Sequence, residues 1–425
     1  MKIAILTLGT RGDVQPYAVL GQALKQRGHQ VTLSTAKNFE QLVISYNIDF
    51  APIEADFQEL LNSDEGKKMM KGNPFAVKRN LNTWVYPLIT NSLTEFYKLA
   101  KESDIVLYHV KTLADSFADQ FPNKMIRANV LPIVEPTKEF ANPAFSGLGI
   151  PSFLNKLTYK FSNLSIKLLS KPIEQFRTKF KLPKKFTVPT TRNIYGISSH
   201  FLAVPQDFPA HSKFTGFWFG TSSTELSTDL SDFINAGEPP LLLTFGSMPF
   251  KSKFDLQTAL IKLTQQSDTR IILVKGWGLE QTEQIENNPK IKVISSAPYE
   301  KLFPLTKAII HHGGIGTTAE CLRAGKPFMI CPILYPIGDQ KFWGQHAYKK
   351  GLAVKPIPIS KMTEKIFLES VNELLTNKQI YDTAKQIQIL TNNENGLENT
   401  INEIEKTTAN SGLAKVAVQY SENSF

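Results

Sequence analysis

The stretch KIAILTLGTRGDVQPYAVLGQALKQRGHQVTLST, Lys2 to Thr35, decides how the chain is to be read. KIAILTL is a short apolar, β-branched run of the kind that forms a strand buried on both faces. PYAVLGQALKQRG places Val19, Leu20, Ala23 and Leu24 on one helical face and stops at Gly28. QVTLST is a second strand, so the unit is strand, helix, parallel strand. Between strand and helix lies GTRGDVQP. A loop at that place usually holds phosphate, because a helix N-terminus offers unpaired N–H groups and partial positive charge. Asp13 would repel an anion there. Its plainest role is a helix cap ahead of Pro16, worth about 1 kcal/mol.

Working outward, strand-length apolar runs alternate with helix-periodic stretches throughout, and the pattern restarts at PPLLLTFGSMPF, Pro239 to Phe250, where LTFGS echoes LTLGT. RIILVKG, KIKVISSA, KAIIHHGG, PFMICPI and LAVKPI continue as strands. The reading is α/β: two Rossmann-like domains with parallel sheets facing a central cleft, where ligands of such sheets bind. The expected division is an N-terminal acceptor-binding domain over 1–217 and a polar Ser/Thr-rich linker over 218–238. A nucleotide-binding domain over 239–400 and a helix or tail over 401–425, packing back on the first domain, complete it.

Composition narrows the function. The chain has 425 residues and a formal charge of +10, of which nine basic residues against Glu174 alone fall within 151–185. The remainder is nearly neutral, which argues against nucleic acid as a partner. Phe153, Leu157, Phe161, Leu164, Leu168 and Leu169 interleave with those charges, as in an amphipathic surface helix. Such a helix is either a solvated basic face or a peripheral contact with anionic membrane. Cys321 and Cys331 are too few for a disulfide framework and suit a reducing cytoplasm. The first apolar run meets Arg11 too early for a secretory signal or a spanning segment. A cytoplasmic protein, at most peripheral at the inner membrane surface, is expected.

HHGGIGTTAECLRAGKP, His311 to Pro327, carries the most chemistry. A strand ends at the histidines, glycines form a turn, and a helix follows that ends at Gly325. Glycines let backbone approach a phosphate closely, a helix starting at Thr317 aims N–H groups at it, and His312 and Thr317 add donors. A plain turn with a Thr317–Glu320 capping box accounts for part of the pattern. It leaves two histidines and three glycines together unexplained, which favours a diphosphate site. No Cys/His cluster has metal-ligand spacing, so neither metal nor cofactor is expected.

The block HHGGIGTTAECLRAGKPFMICPILYPIGDQ, with GTRGDVQPYAVLGQALKQRGHQVTLST, VPQDFPAHSKFTGFWF and LTFGSMPF, resembles family 1 glycosyltransferases of GT-B fold. The nearest branch is that of sterol 3-β-glucosyltransferases and bacterial natural-product and lipid glycosyltransferases. The resemblance implies a UDP-sugar, usually UDP-glucose, held by the second half. His312, Gly314, Gly316, Thr317 and Ser247 fall where the family binds diphosphate, Asp339 and Gln340 where it contacts sugar hydroxyls, and Glu320 where it binds ribose. Ser296 replaces the Trp that stacks uracil in the plant enzymes, which leaves Ala297 backbone to hold the base. CPILYPIGDQ is longer than the family's usual version.

The Asp of the GDVQP motif is the family's proposed general base, matching Asp13. A base attacking opposite the departing UDP inverts the anomeric centre. Thr10, Gly12, Trp84 and His109 are the candidates for the acceptor side, and apolar segments of the first half suit a sterol-like, lipid or polyketide alcohol. Alternatives are a UDP-sugar epimerase or hydrolase on the same scaffold and a non-catalytic sugar-nucleotide binder. A NAD-linked dehydrogenase is disfavoured: the first loop lacks G-x-G-x-x-G and no acid closes the second strand.

Overall fold

In the computed structural model, residues 1–54, 81–167, 169–189, 191–246, 254–275 and 283–406 are described; Ser247, Trp277 and the Trp84 side chain lie outside them. The first sheet joins β1 (Lys2–Leu6), β2 (Gln30–Ala36), β3 (Asp49–Ile53), β4 (Ile105–Tyr108), β5 (Met125–Asn129), β6 (Arg192–Tyr195) and β7 (Ser212–Phe214). The second joins β8 (Leu241–Thr244), β9 (Ile271–Val274), β10 (Ile291–Ile294), β11 (Ala308–His311) and β12 (Phe328–Ile330). Their orders are β3-β2-β1-β4-β5-β6-β7 and β10-β9-β8-β11-β12, with every strand pair parallel. Each sheet reverses direction beside its first strand. The loops after β1 and β4, and after β8 and β11, therefore flank the two crevices in which ligands of such sheets bind.

Alternation along the strands divides the core. Ile3 and Ile5 face a cluster that runs through both domains and includes Trp218, Phe201 and Trp343. Ala4 and Leu6 face a separate one with Phe96, Phe117 and Phe176. The outer face of the second sheet has its own core around Leu243, Phe245 and Phe367.

Three local expectations are corrected. The first helix runs Arg11–Gln26, not from Pro16, because Thr10 caps it and Asp13 reaches back to the Thr10 N–H. LAVKPI is no strand: Ala353 makes an isolated bridge to Phe328, and Pro356 and Pro358 lack the N–H groups a ladder needs. The polar segment 218–238 is not plain linker. Its hydroxyl-rich part holds the Ser227 cap of a helix, Thr228–Asn235, whose Leu230 and Ile234 are buried.

Helix 396–406 returns to the first domain. The Thr400 hydroxyl lies 2.7 Å from that of Thr215 and accepts from Trp218 Nε1 at 2.7 Å, while Glu398 pairs with Arg27 at 3.0 Å. No helix among the described residues is long and apolar enough to cross a membrane.

Candidate active site

Asp13 lies at the third position of the first helix, not at its cap. The Thr10 N–H donates to Asp13 Oδ2 at 2.9 Å, and the Thr10 hydroxyl reaches the same oxygen at 3.2 Å. Gly9, at φ +139°, makes room for this fold-back: a Cβ there would stand 2.3 Å from Asp13 Oδ2. The other oxygen, Oδ1, accepts from Lys111 Nζ at 2.6 Å. Lys111 follows β4, the strand beside β1, so the two loops of the crevice meet in an ion pair.

Burial alone would raise the Asp13 carboxyl; the Lys111 ammonium and the hydrogen bonds from Lys111 and Thr10 outweigh it and hold the group below its usual value of 3.8. Burial, with Lys111 adding to it, pushes the His109 imidazole down to about 3. It is expected on the acceptor side, yet the structure buries it completely. Its ring meets Tyr17 edge-on and its Nδ1 accepts from the Lys111 N–H. His109 thus sets the turn that presents Lys111. Thr10 and Gly12 are exposed on the same loop.

If Lys111 keeps Asp13 ionised, Lys111→Met should move the acidic limb of the kcat/KM–pH profile upward. An unmoved limb in a folded variant means that Asp13 is not the group titrating there.

In the second domain the helix begins at Ile315, with Gly314 as its cap and no side-chain cap bond. Thr317 therefore sits inside the first turn and forms no capping box with Glu320. The N–H groups of Ile315, Gly316 and Thr317 head the helix without intrahelical partners. A Cβ on Gly316 would meet nothing within 4 Å, so the space in front of the turn is open. His311 and His312 part company. His311 is buried in the strand end and accepts from the Gly313 N–H. The His312 ring sits between two glycines: a Cβ on Gly314 would come 2.7 Å from its Nε2, and one on Gly246, at φ +63°, 3.1 Å from its Cε1. Burial lowers its pKa to about 4, and its Nδ1 has no partner among the described residues. His312 is a neutral imidazole at pH 7, next to a helix N-terminus.

Asp339 ends the loop that follows β12. Its Oδ2 accepts from Trp343 Nε1 at 2.9 Å. Trp343 is itself fully buried and stacked on Phe201 of the first domain. Burial raises the Asp339 carboxyl, Lys111 opposes this, and Asp13 adds to it. Asp13, Lys111 and Asp339 thus feel one another's charge across the cleft. Gln340 serves its own loop: its Oε1 accepts from the N–H groups of Ile333 and Leu334 at 2.7 and 2.8 Å. Ala297, in the loop after β10, is partly buried beside the core, near Tyr299, whose hydroxyl lies 2.7 Å from that of Thr244.

Glu320 faces inward, with one oxygen buried and unpartnered among the described residues and Arg323 3.6 Å from the other. Burial is the main cause, and Glu300 adds to it, of a carboxyl pushed up to about 7 against the pull of Arg323. A carboxyl raised on folding loses stability as pH climbs from the unfolded value toward 7. Glu320→Gln should therefore raise the melting temperature at pH 8 by about 2 °C or more and leave it nearly unchanged at pH 5. Equal shifts at both pH values would mean that the buried carboxyl is not ionising in this range.

Among the described residues no three His, Cys, Asp or Glu side chains group so as to hold a metal ion.

Two facing parallel-sheet domains, with a carboxylate loop on one and a glycine–histidine helix start on the other, make up the GT-B fold of glycosyltransferases. Residues 3–120 match the glycosyltransferase family 28 N-terminal domain, and 167–392, more than half of the chain, match UDP-glucoronosyl and UDP-glucosyl transferase. The chain belongs to the UDP-glucoronosyl and UDP-glucosyl transferase family.

A sterol 3-beta-glucosyltransferase of Arabidopsis thaliana is 26% identical over 94% of this chain, and one of Candida albicans 28% over 95%. The chain spans only 64% and 27% of those two relatives' lengths. An O-mycaminosyltylonolide 6-deoxyallosyltransferase of Streptomyces fradiae is 27% identical, with 94% of this chain and 96% of the relative aligned. Among solved structures, the glycosyltransferase of kitacinnamycin superposes with a TM-score of 0.72 at 16% identity, covering 96% of this chain and 98% of its own. A spinosyn rhamnosyltransferase complexed with thymidine diphosphate gives 0.63 at 14% identity, covering 92% and 96%.

Proposed function

We propose that the protein transfers a sugar, glucose in the first instance, from a nucleoside diphosphate sugar to a hydroxyl of a hydrophobic acceptor, with inversion at the anomeric carbon. The observation that carries this is the pairing of two crevice loops: Asp13, held by Lys111 at 2.6 Å on the first domain, and the His312–Gly314 helix start on the second.

In this reading the diphosphate lies before the N–H groups of Ile315, Gly316 and Thr317, and His312 donates to it; Ser247 adds its hydroxyl. Glu320 takes the ribose hydroxyls, Ala297 backbone the base, and Asp339 the sugar hydroxyls, with Gln340 bracing the loop and also facing the sugar. Asp13 accepts the acceptor's O–H proton as the acceptor oxygen bonds to the anomeric carbon. The bond from that carbon to the phosphate oxygen breaks, and the nucleoside diphosphate leaves with the electron pair. Helix N–H groups and His312 meet the charge that develops on the leaving group, so no metal is needed.

The family match supports a UDP-sugar, while the spinosyn enzyme's thymidine diphosphate makes a dTDP-sugar the natural comparison. The sterol and tylonolide enzymes among the relatives point to a bulky alicyclic or macrolide alcohol. The test is mass spectrometry of products from UDP-glucose and dTDP-glucose with a panel of sterols, macrolides and lipid alcohols, in EDTA. A glucoside of β configuration is the expected product. Free glucose or an epimerised nucleotide sugar as the sole product overturns the reading.

A further inference from the structure

The basic segment is not one amphipathic helix. It comprises a turn at Ser152–Leu154, a helix at Asn155–Lys167 and a second helix at Ser170–Lys179. Part of it is internal, with Arg177 buried against Asp119 at 2.9 Å, and at the surface Lys156 pairs with Asp207 at 2.9 Å. What stays outside is an apolar stripe. Phe153 is 82% exposed, Leu157 40% and Phe161 55%. Leu157 and Phe161, spaced by four, share one side of the helix with exposed Lys160, and Phe153 stands on the turn before it, while Asn155, Thr158 and Tyr159 face inward.

The stripe continues across the domain boundary. Thr158 and Asn155 hold the segment that leads to Ala144, through bonds to Asn142 N–H and Lys138 O. That segment ends in Leu148, 49% exposed, and Gly147 packs so closely on Pro336 that a Cβ would lie 2.1 Å from its carbonyl oxygen. Ile337 on this second-domain loop is 59% exposed, and Lys341 and Lys361 flank its neighbour Tyr335. Asp339, two residues from Ile337, already belongs to the cleft.

We infer that this surface, Leu148, Phe153, Leu157 and Phe161 of one domain with Ile337 of the other, docks the protein on an anionic lipid leaflet, with the cleft mouth beside the bilayer. Lipid is favoured over a protein partner by charge. With Arg177 and Lys156 given to Asp119 and Asp207, seven further basic residues of 151–185 stand against Glu174, and Lys160, Lys341 and Lys361 border the apolar stripe on the two domains. Aromatic and aliphatic side chains at interfacial depth with lysines around them are what an anionic leaflet binds. A hydrophobic acceptor then enters from the leaflet without crossing water.

The test is cosedimentation of the full chain with phosphatidylcholine vesicles, with and without phosphatidylglycerol. Wild type should bind the anionic vesicles about tenfold more tightly or better, and salt should weaken the binding. The triple variant F153S/L157S/F161S should lose about tenfold or more while keeping its melting temperature. Vesicle binding is read without turnover, so it stands or falls separately from the transfer reaction. Three results overturn the inference: no preference for anionic vesicles, undiminished binding by the triple variant, or a wild-type dimer that the triple variant makes monomeric. The last identifies the stripe as a contact between two copies.

Discussion

Asp13→Asn should lower kcat by about 10²- to 10⁴-fold, the range for removing a positioned general base, and leave nucleotide-sugar affinity unchanged. Asn is nearly isosteric and keeps an oxygen for the Thr10 N–H, so the helix start survives; Gly9 still gives the side chain its room. What goes is the charge that Lys111 faces at 2.6 Å and the oxygen that takes the acceptor's proton. Turnover with a true acceptor and binding of the donor by calorimetry are measured side by side. Normal turnover would remove Asp13 from the mechanism and leave it as the third residue of a capping box. Loss of both turnover and donor binding would indicate a cleft that no longer forms.

His312→Ala should cost about 10²- to 10³-fold in kcat, comparable with losing one preorganised donor at a developing anion, and should also weaken the donor. The imidazole is neutral, so its loss removes a hydrogen bond and leaves net charge unchanged, and the defect should persist in high salt. Its position comes from glycines on two different loops, Gly246 after β8 and Gly314 after β11. Gly246→Ala should therefore reproduce part of the defect by pushing the ring, without touching His312 chemically. Unchanged donor affinity in His312→Ala would place the diphosphate elsewhere.

Most of this site is visible along the chain, because strand, glycine turn and helix are neighbours in sequence. GTRGD and HHGGIGTT each name their own loop. What is not visible depends on strand order. Nothing local in VLYHVKT says that β4 lies beside β1, and without that adjacency Lys111 has no reason to meet Asp13. The tight turn at Val110–Thr112, capped by His109, likewise decides that His109 goes inward while Lys111, 44% exposed, reaches over the carboxylate. Gln340 shows the converse case: an amide beside an acid reads as a sugar contact, and nothing local says that its Oε1 also accepts from two N–H groups of the loop before it. The sequence places both helix starts too late for a similar reason, since an earlier Thr or Gly captures the cap.

The returning helix has a mechanical consequence. The polypeptide passes between the domains twice, once through Thr215 to Trp218 and once through the residues before Thr400, and the two passages are tied together by the Thr400 hydroxyl. Two adjacent tethers resist sliding and separation, and leave rotation about the line they define as the soft motion. Such a rotation swings the far side of the cleft most, where the Gly338 N–H holds Ala144 O at 2.8 Å. That bond lies beside Ile337 and Leu148, and the packing of Phe140 on Phe342 and of Gly147 on Pro336 closes the same seam. The seam that must part for the cleft to gape is thus the same seam that the exposed apolar stripe crosses, so whatever grips the stripe also has a hold on the hinge.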